Sequence, residues 1–563
     1  MSRSTSKGSR YRIKEEKVTR ERKRVSVWVN LLLLLISALL FALSFPSFLS
    51  VWGWFPLAFV ALIPVFIVVH RSSWKGIAFY GIFFGLASYT LFNFWLGKFH
   101  PLALFIVPPI YAFYFLLVFP ALKIIDSAFP RYGYILQTFV WLAYEFLKTQ
   151  GFLGYSYGIM GYSQYLFKTL IQIAEITGVW GVSLIVVFPS VLLGNALKEW
   201  DFRFRSLPEM LGGRGRGAYT KAHINVIKPG IIYLVVFVGV LVYGFVSQVD
   251  YGKSRMWKVA LIQQNVDPWK GGTRPYERSL NILLKLSRQA TKENPDIIVW
   301  SETSFVPGID WHTKYRTDVD KYLLVKRLVD YLKKQKIPYV IGNDDGQLAK
   351  NERGEDIRVD YNATVLYMNG RIVKTYRKLH LVPFTEYFPF KKTLPRVYQW
   401  LVNADTHFWK KGKEYTVFEA DGVRFSTPIC FEDTFGYLNR EFVRHGADVI
   451  VNMTNDSWSF SVAAEMQHMN MAVFRAVENR RSVVRSTNGG ITCTIDPNGK
   501  ILDMLEPFTE GYLISKVPVY NEKETIYTKW GDWMGIAGVI IAIAGVIVGL
   551  LFILAKHAGR SKD

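Results

Sequence analysis

Long apolar blocks separated by charged linkers are the feature that most narrows what this chain can fold into. A helix that crosses a bilayer needs about 20 mostly apolar residues. Eight runs approach that length, near residues 25–45, 51–69, 76–96, 102–122, 133–147, 179–196, 231–247 and 534–555. The run at 133–147 is short and carries Glu145 near one end, whereas IIYLVVFVGVLVYGFVS (231–247) and MGIAGVIIAIAGVIVGLLFILA (534–555) are uninterrupted. One of these could be a buried helix of a soluble protein, but a soluble core cannot hide all eight. The expectation is a polytopic α-helical membrane domain of about eight spans.

Charge placement orients such a domain, because short cytoplasmic loops collect Lys and Arg. Ten basic residues lie between Arg3 and Arg24. The loop at 197–228 adds Lys198, Arg203, Arg205, Arg214, Arg216, Lys221 and Lys228, and the tail adds Lys556, Arg560 and Lys562. With eight spans all three segments fall on one side, so both termini are expected in the cytoplasm. The first apolar run is too long for a secretory signal and no small-residue cleavage site follows it, which reads as an uncleaved span. The net charge of +23 is accounted for by orientation, so no nucleic-acid partner is expected. Two cysteines in 563 residues exclude a disulfide framework and a Cys-based zinc module.

The division that follows is a basic cytoplasmic arm (1–24), seven spans (25–250), a polar region (251–526), and a last span with its tail (527–563). An odd number of spans precedes the polar region, so it faces away from the cytoplasm. It is long enough for a globular domain with its own core. Val- and Ile-rich runs recur in it: VALIQQN (259–265), DIIVW (296–300), YVIGN (339–343), ATVLYM (363–368), VRFSTPIC (423–430), ADVIVNM (447–453) and GITCTID (490–496). Such runs suit strands buried on both faces. Helix-period segments at 276–293 and 463–479 lie between some of them, and Asn-Gly turns at 368–371 and 496–499 join others. A layered α/β domain results, a sheet sandwich flanked by helices.

Three residues at strand ends could carry chemistry. Glu302 follows DIIVW, Lys378 follows RIVKTYR, and Cys430 closes VRFSTPI. A thiol attacks as its thiolate; a carboxylate can take its proton and an ammonium can stabilise the charge that develops. Taken singly, each has an ordinary alternative: a small buried apolar residue for Cys430, a solvated loop for Glu302, a surface position for Lys378. Cys493, in GITCTID, reads as a buried core residue, and no Cys430–Cys493 disulfide is expected. His380 and His468 read as packing or surface residues. The nine His show no ligand spacing beside a carboxylate, so no metal and no cofactor is expected.

The Glu–Lys–Cys pattern resembles the nitrilase, or carbon–nitrogen hydrolase, superfamily. Joined to eight spans, it resembles the apolipoprotein N-acyltransferases. The motifs that carry the resemblance are VALIQQNVDPWK (259–270), IIVWSET (297–303), YRKLHLVPFTEYFPF (376–390), PICFED (428–433), NMTNDSW (452–458) and QHMNMAVFRAVENRRSVVRSTNGG (467–490), with WLAYEFLKTQGFLGYSYGIMGYSQ (141–164) in the membrane part. The resemblance implies an αββα sandwich, with Glu302 as general base, Lys378 as catalytic lysine and Cys430 as nucleophile. It also implies that Glu386 is a second essential glutamate, that Phe431 and Glu432 are supporting residues beside the nucleophile, and that Trp269 sits in a mobile loop near the site. The implied reaction is ping-pong acyl transfer through a Cys430 thioester, from a phospholipid to the diacylglyceryl-cysteine of an apolipoprotein. The implied setting is a multi-pass monomer of the bacterial inner membrane with its catalytic domain on the periplasmic side. Ser301, Thr385, Phe431 and Ser459-Phe460 depart from the family's usual Pro, Gly, Tyr and Phe-Gly; none of these removes a reacting group.

Three rivals make different demands. A membrane-anchored amidase would use the same triad but pass the acyl group to water. A non-catalytic receptor with a degenerate nitrilase fold would be expected to lack part of the triad. A transporter would need more ionisable residues within its spans.

Overall fold

The structure, a computed structural model, describes residues 27–99, 103–197, 216–266, 272–351, 353–403 and 407–560. Trp269, the basic arm 1–24, Lys562 and the loop residues Lys198, Arg203, Arg205 and Arg214 lie outside the described residues. Two compact units are present. One holds the described residues up to Glu145, those between Leu184 and Val236, and those from Ala537 on; the other holds Phe146–Ser183 and Phe237–Ile536.

The first unit is helical. Taken over the whole described chain, the helices Ala103–Ala128, Val179–Leu197, Val226–Val246 and Trp533–Ala558 are long and apolar enough to cross a membrane by length and composition. The runs expected at 25–45, 51–69 and 76–96 form shorter apolar helices, Val27–Leu43, Phe55–Arg71 and Ile77–Phe92, and the run at 133–147 forms Gly133–Leu147. Aromatic rings fill the core of this unit: Phe115 lies 5.3 Å from Phe84, 6.1 Å from Trp141 and 4.8 Å from Tyr144. Close approach there needs Gly81, since a Cβ at this position would lie 2.5 Å from the Phe115 carbonyl oxygen. Buried Glu145 accepts a hydrogen bond from Trp141 Nε1 at 3.1 Å.

The second unit contains two six-stranded sheets. The first has the order β12-β1-β2-β3-β4-β5, formed by β1 (Arg255–Gln263), β2 (Ile297–Trp300), β3 (Tyr339–Lys350), β4 (Asp356–Met368), β5 (Arg371–Arg377) and β12 (Gly511–Val519). The second has the order β11-β10-β9-β8-β7-β6, formed by β6 (Val417–Ala420), β7 (Val423–Ser426), β8 (Val449–Thr454), β9 (Ser482–Thr487), β10 (Cys493–Ile495) and β11 (Ile501–Met504). Each sheet has parallel strands at its centre and antiparallel strands at its edges.

Strand alternation builds two cores. Val259, Leu261, Ile297, Val299, Val340 and Leu366 face one way and meet Phe425, Val449, Val451 and Val484 of the second sheet. The intervening Ala260, Ile262, Ile298, Trp300, Tyr339 and Val365 face the other way, onto helices α1 (Thr273–Thr291) and α2 (Val319–Leu332). Helices α3 (Gly436–Arg444) and α4 (Val462–Asn479) pack on each other, and α4 packs on β9. This is the expected αββα sandwich. Both Asn-Gly turns form; Asn369 and Gly370 take φ of 54° and 78°, which a two-residue hairpin turn requires.

Candidate active site

Cys430 sits where β7 gives way to a short 3₁₀ turn, Cys430–Thr434. Its φ of 54° is left-handed, a conformation that costs a non-glycine residue about 1–3 kcal/mol and persists only when neighbours enforce it. They do so here. Asn452 Nδ2 donates to the carbonyls of Pro428 (3.1 Å) and Cys430 (3.0 Å), and Met453 N–H donates to Pro428 O at 3.1 Å. Glu432 Oε2 accepts the Ile429 N–H at 2.7 Å.

The other two expected residues converge on this elbow. Glu302 follows β2 in a turn that presses on β3, where a Cβ at Gly342 would lie 2.8 Å from Glu302 Cα. Its Oε2 accepts the Asn455 N–H at 2.9 Å; its Oε1 accepts from Asn362 Nδ2 at 2.8 Å and from Lys378 Nζ at 3.4 Å. Lys378, fully buried just past β5, donates to Glu386 Oε1 at 2.8 Å. Glu386 Oε2 in turn accepts the Val382 N–H at 2.8 Å. Lys378 Nζ also lies 5.7 Å from the centre of the Phe431 ring.

Glu432 has a separate place. Its carboxylate accepts the N–H groups of Leu379 (2.7 Å) and His380 (2.8 Å) and the Tyr376 hydroxyl (2.9 Å), besides Ile429. It therefore ties the segment after Lys378 to the residue before Cys430.

Electrostatics follow from burial. Burial pushes the Cys430 thiol well above its ordinary pKa, and Glu302 adds to this while Lys378 opposes it, so the resting sulfur is a thiol. Burial also raises Glu302, with Lys378 opposing and Glu386 adding, which makes its carboxylate a stronger proton acceptor. Burial alone would lower Lys378, but Glu386 and then Glu302 outweigh it and hold the ammonium above its usual value. Glu432 is raised by burial to about 7 against the pull of Lys378 and its backbone donors. A thiol, a basic carboxylate and a fixed cation thus form one cluster, a set able to form and break an acyl–sulfur bond.

Several contributors carry no signal in the sequence. Asn362 bridges Glu302 and Glu386 (2.8 and 3.2 Å), yet the strand expected there began only at 363. Asn452, Asn455 and Tyr376 lay inside motifs without an assigned role. His468, expected as a packing or surface residue, is instead buried between two carboxylates. His380 stacks on Phe435 (4.2 Å) and pairs with the Tyr437 hydroxyl (3.0 Å); burial, then Lys411 and Lys378, push its imidazole down to about 4. Cys493 is buried, and both cysteines are free thiols. The fold also gathers Asp344, Asp360 and His407, whose ligand atoms lie within 4.8 Å of one another. Sequence spacing could not reveal that cluster. Arg358 already pairs with both carboxylates, at 3.0 and 2.6 Å.

Comparison with known proteins finds relatives over nearly the whole chain. Residues 258–527 match the carbon–nitrogen hydrolase family, and residues 37–192 match the apolipoprotein N-acyltransferase N-terminal domain. The chain is 42% identical to apolipoprotein N-acyltransferase 1 of Treponema denticola, covering 95% of this chain and 98% of that protein. It is 41% identical to apolipoprotein N-acyltransferase 1 of Treponema pallidum, covering 92% and 96%. Among solved structures, an amidase of the nitrilase superfamily from Nesterenkonia AN1 is similar at 16% identity and a TM-score of 0.34, covering 50% of this chain and 93% of that one.

Proposed function

The chain belongs to the apolipoprotein N-acyltransferase family, and on that premise we propose that Cys430 carries the acyl group between a phospholipid donor and the lipoprotein acceptor. The protein is a membrane acyltransferase that modifies lipoproteins. The observation that carries the residue assignment is the fixed Lys378 ammonium, held by Glu386 and Glu302 beside the strained Cys430 elbow.

In the first half-reaction Glu302 takes the thiol proton and Sγ attacks the ester carbonyl of the phospholipid. The oxyanion is stabilised by Lys378 and by the N–H of Phe431, the second residue of the 3₁₀ turn, where helix-type N–H groups lack an internal partner. As the C–O bond breaks, Glu302 returns the proton to the departing alkoxide, which leaves as lysophospholipid. In the second half-reaction the α-amine of the acceptor's diacylglyceryl-cysteine attacks the thioester. Glu302 removes a proton from that nitrogen, the N–C bond forms, the S–C bond breaks, and the thiolate regains its proton.

Glu386 and Glu432 act in this reading by position: one holds the ammonium, the other spaces it from the sulfur. Trp269 is proposed as a substrate-side residue. The inner membrane, a periplasmic catalytic face, cytoplasmic termini and a monomeric enzyme complete the proposal. It is supported by the charge distribution of the loops and by a donor that resides in lipid.

The test is incubation with acyl-labelled phospholipid. A hydroxylamine-sensitive label on Cys430, absent from Cys430→Ser, is the expected result. Activity without that label would exclude the thioester. Release of free fatty acid in place of acylated lipoprotein would favour the amidase-like reading.

A further inference from the structure

Behind the elbow lies a buried set of charges that the reaction does not use. Asp433, in the same 3₁₀ turn as Cys430, accepts from His468 Nε2 at 2.8 Å and pairs with Arg485 of β9. Asp456, next to the Asn455 whose amide holds Glu302, accepts from His468 Nδ1 at 2.7 Å and from Arg485 at 3.4 Å. His468 belongs to α4 and is 2% exposed. A carboxylate only accepts hydrogen bonds, so an imidazole that serves two of them must donate from both nitrogens. Only the imidazolium does that. Two carboxylates and two cations, all four side chains buried, then balance one another, which burial of charge demands.

The array has a position as well as a balance. One end is covalently three residues from Cys430; the other is one residue from the amide that fixes Glu302. We propose that protonated His468 is a positioning residue that sets the separation of Cys430 and Glu302, by clamping Asp433 to Asp456. This inference rests on the reading of Cys430 as nucleophile and Glu302 as base.

The groups facing His468 are Asp433 from the turn, Asp456 from the segment after β8, Arg485 from β9, Glu465 from its own helix, and the Tyr157 ring at 6.2 Å. Cys493 of β10 faces Asp433 and Arg485. Burial alone would lower His468, but Asp433 and Asp456 outweigh it and raise it to about 9. Glu465 is pushed well above its ordinary value by burial and then by Asp456, a shift that favours its neutral form. Loss of the His468 proton leaves one carboxylate without its imidazole donor and loosens the clamp.

The experiment measures single-turnover formation of the acyl-enzyme from labelled phospholipid, by the full chain in nanodiscs, between pH 6 and 10. The wild type is expected to lose rate on the alkaline side with a midpoint near 9. In Asp433→Asn that limb is expected to move toward neutral pH, because the histidine loses a charged partner. In His468→Gln the limb disappears and the rate falls at least about a hundredfold, the scale of a 1 Å misplacement, with the KM for phospholipid changed less than about threefold. Folded His468→Gln protein that forms acyl-enzyme within about threefold of wild type would overturn the proposal. So would an alkaline limb that Asp433→Asn leaves in place, which decides the matter if His468→Gln fails to fold. A wild type that forms no acyl-enzyme at all would instead overturn the thioester reading.

Discussion

The backbone N–H of Leu379 donates to Glu432 Oε1 at 2.7 Å, so the residue after the ammonium donor is fastened to the turn that carries the sulfur. Glu432→Gln keeps the shape but offers one acceptor oxygen to four donors. Buried donors left unpaired cost about 1–3 kcal/mol each. A lowered unfolding temperature is expected together with a loss of acyl-enzyme formation of about a hundredfold. Differential scanning fluorimetry and single-turnover labelling check the two effects separately.

Lys378→Met removes the cation and keeps the bulk of the side chain. Loss of an oxyanion donor typically costs about 10²–10³ in rate, and stranding Glu302 and Glu386 together without a cation costs about 3–5 kcal/mol of stability. Lys378→Arg is not expected to rescue activity, since a planar guanidinium does not reproduce a point charge in a closed pocket. Acyl transfer at or near the wild-type rate by either variant would contradict the assigned role.

Glu302 must be ionised to take the thiol proton. Its folded pKa lies above the ordinary 4.5, so the rate should rise with pH through a midpoint higher than that of a free glutamate. Glu302→Gln should abolish the reaction at every pH. The pH profile of kcat/KM measures the limb.

Within the second unit, Arg480 pairs with Glu175 at 2.7 Å and with Gln172 at 2.6 Å, both on the segment 146–183. Glu175 is also held by Lys523 at 2.7 Å. Arg480→Met removes one partner of a fully buried pair, and a stability loss of about 3–5 kcal/mol is expected. Glu175→Gln in the same background should return part of it, because the buried carboxylate then left to pair with Lys523 goes too. Denaturant titration of both variants gives the comparison.

His468 carries a raised folded pKa of about 9 against an ordinary 6.5. A base raised in this way adds stability that is complete below pH 6.5 and is lost as pH rises through 9. The difference in unfolding temperature between wild type and His468→Gln should therefore be largest near pH 6 and shrink by pH 10. A difference independent of pH would show that the histidine is not charged in the folded protein.

Local pattern decided much of this protein. Apolar blocks, Val- and Ile-rich runs and Asn-Gly turns each depend on neighbouring residues, so the helical membrane part, most strands and both hairpins could be read directly, whereas β6, β11 and β12 carried no such run. The reacting residues were legible as types at strand ends, and the motifs around them carried the family. What the sequence left open was how far its apolar runs persist as helices, where the buried charges pair, and how Lys378 reaches Glu302. The last depends on one register shift. The turn at Asn369-Gly370 sets Met368 opposite Arg371 and Tyr367 opposite Ile372, a register that would carry Asn362 to Arg377. Leu366 instead pairs with Lys374, so Val373 is an extra residue and the partner of Ala363 becomes Arg377. Lys378 N–H then bonds to Asn362 O at 2.9 Å. The shift also changes the face: Ile372 packs on the outer core, whereas Tyr376 points between the sheets. A strand's side chains alternate with a period of two, so one unpaired residue turns everything beyond it over. That choice depends on packing against a second sheet far away in the sequence, and only the folded chain makes it.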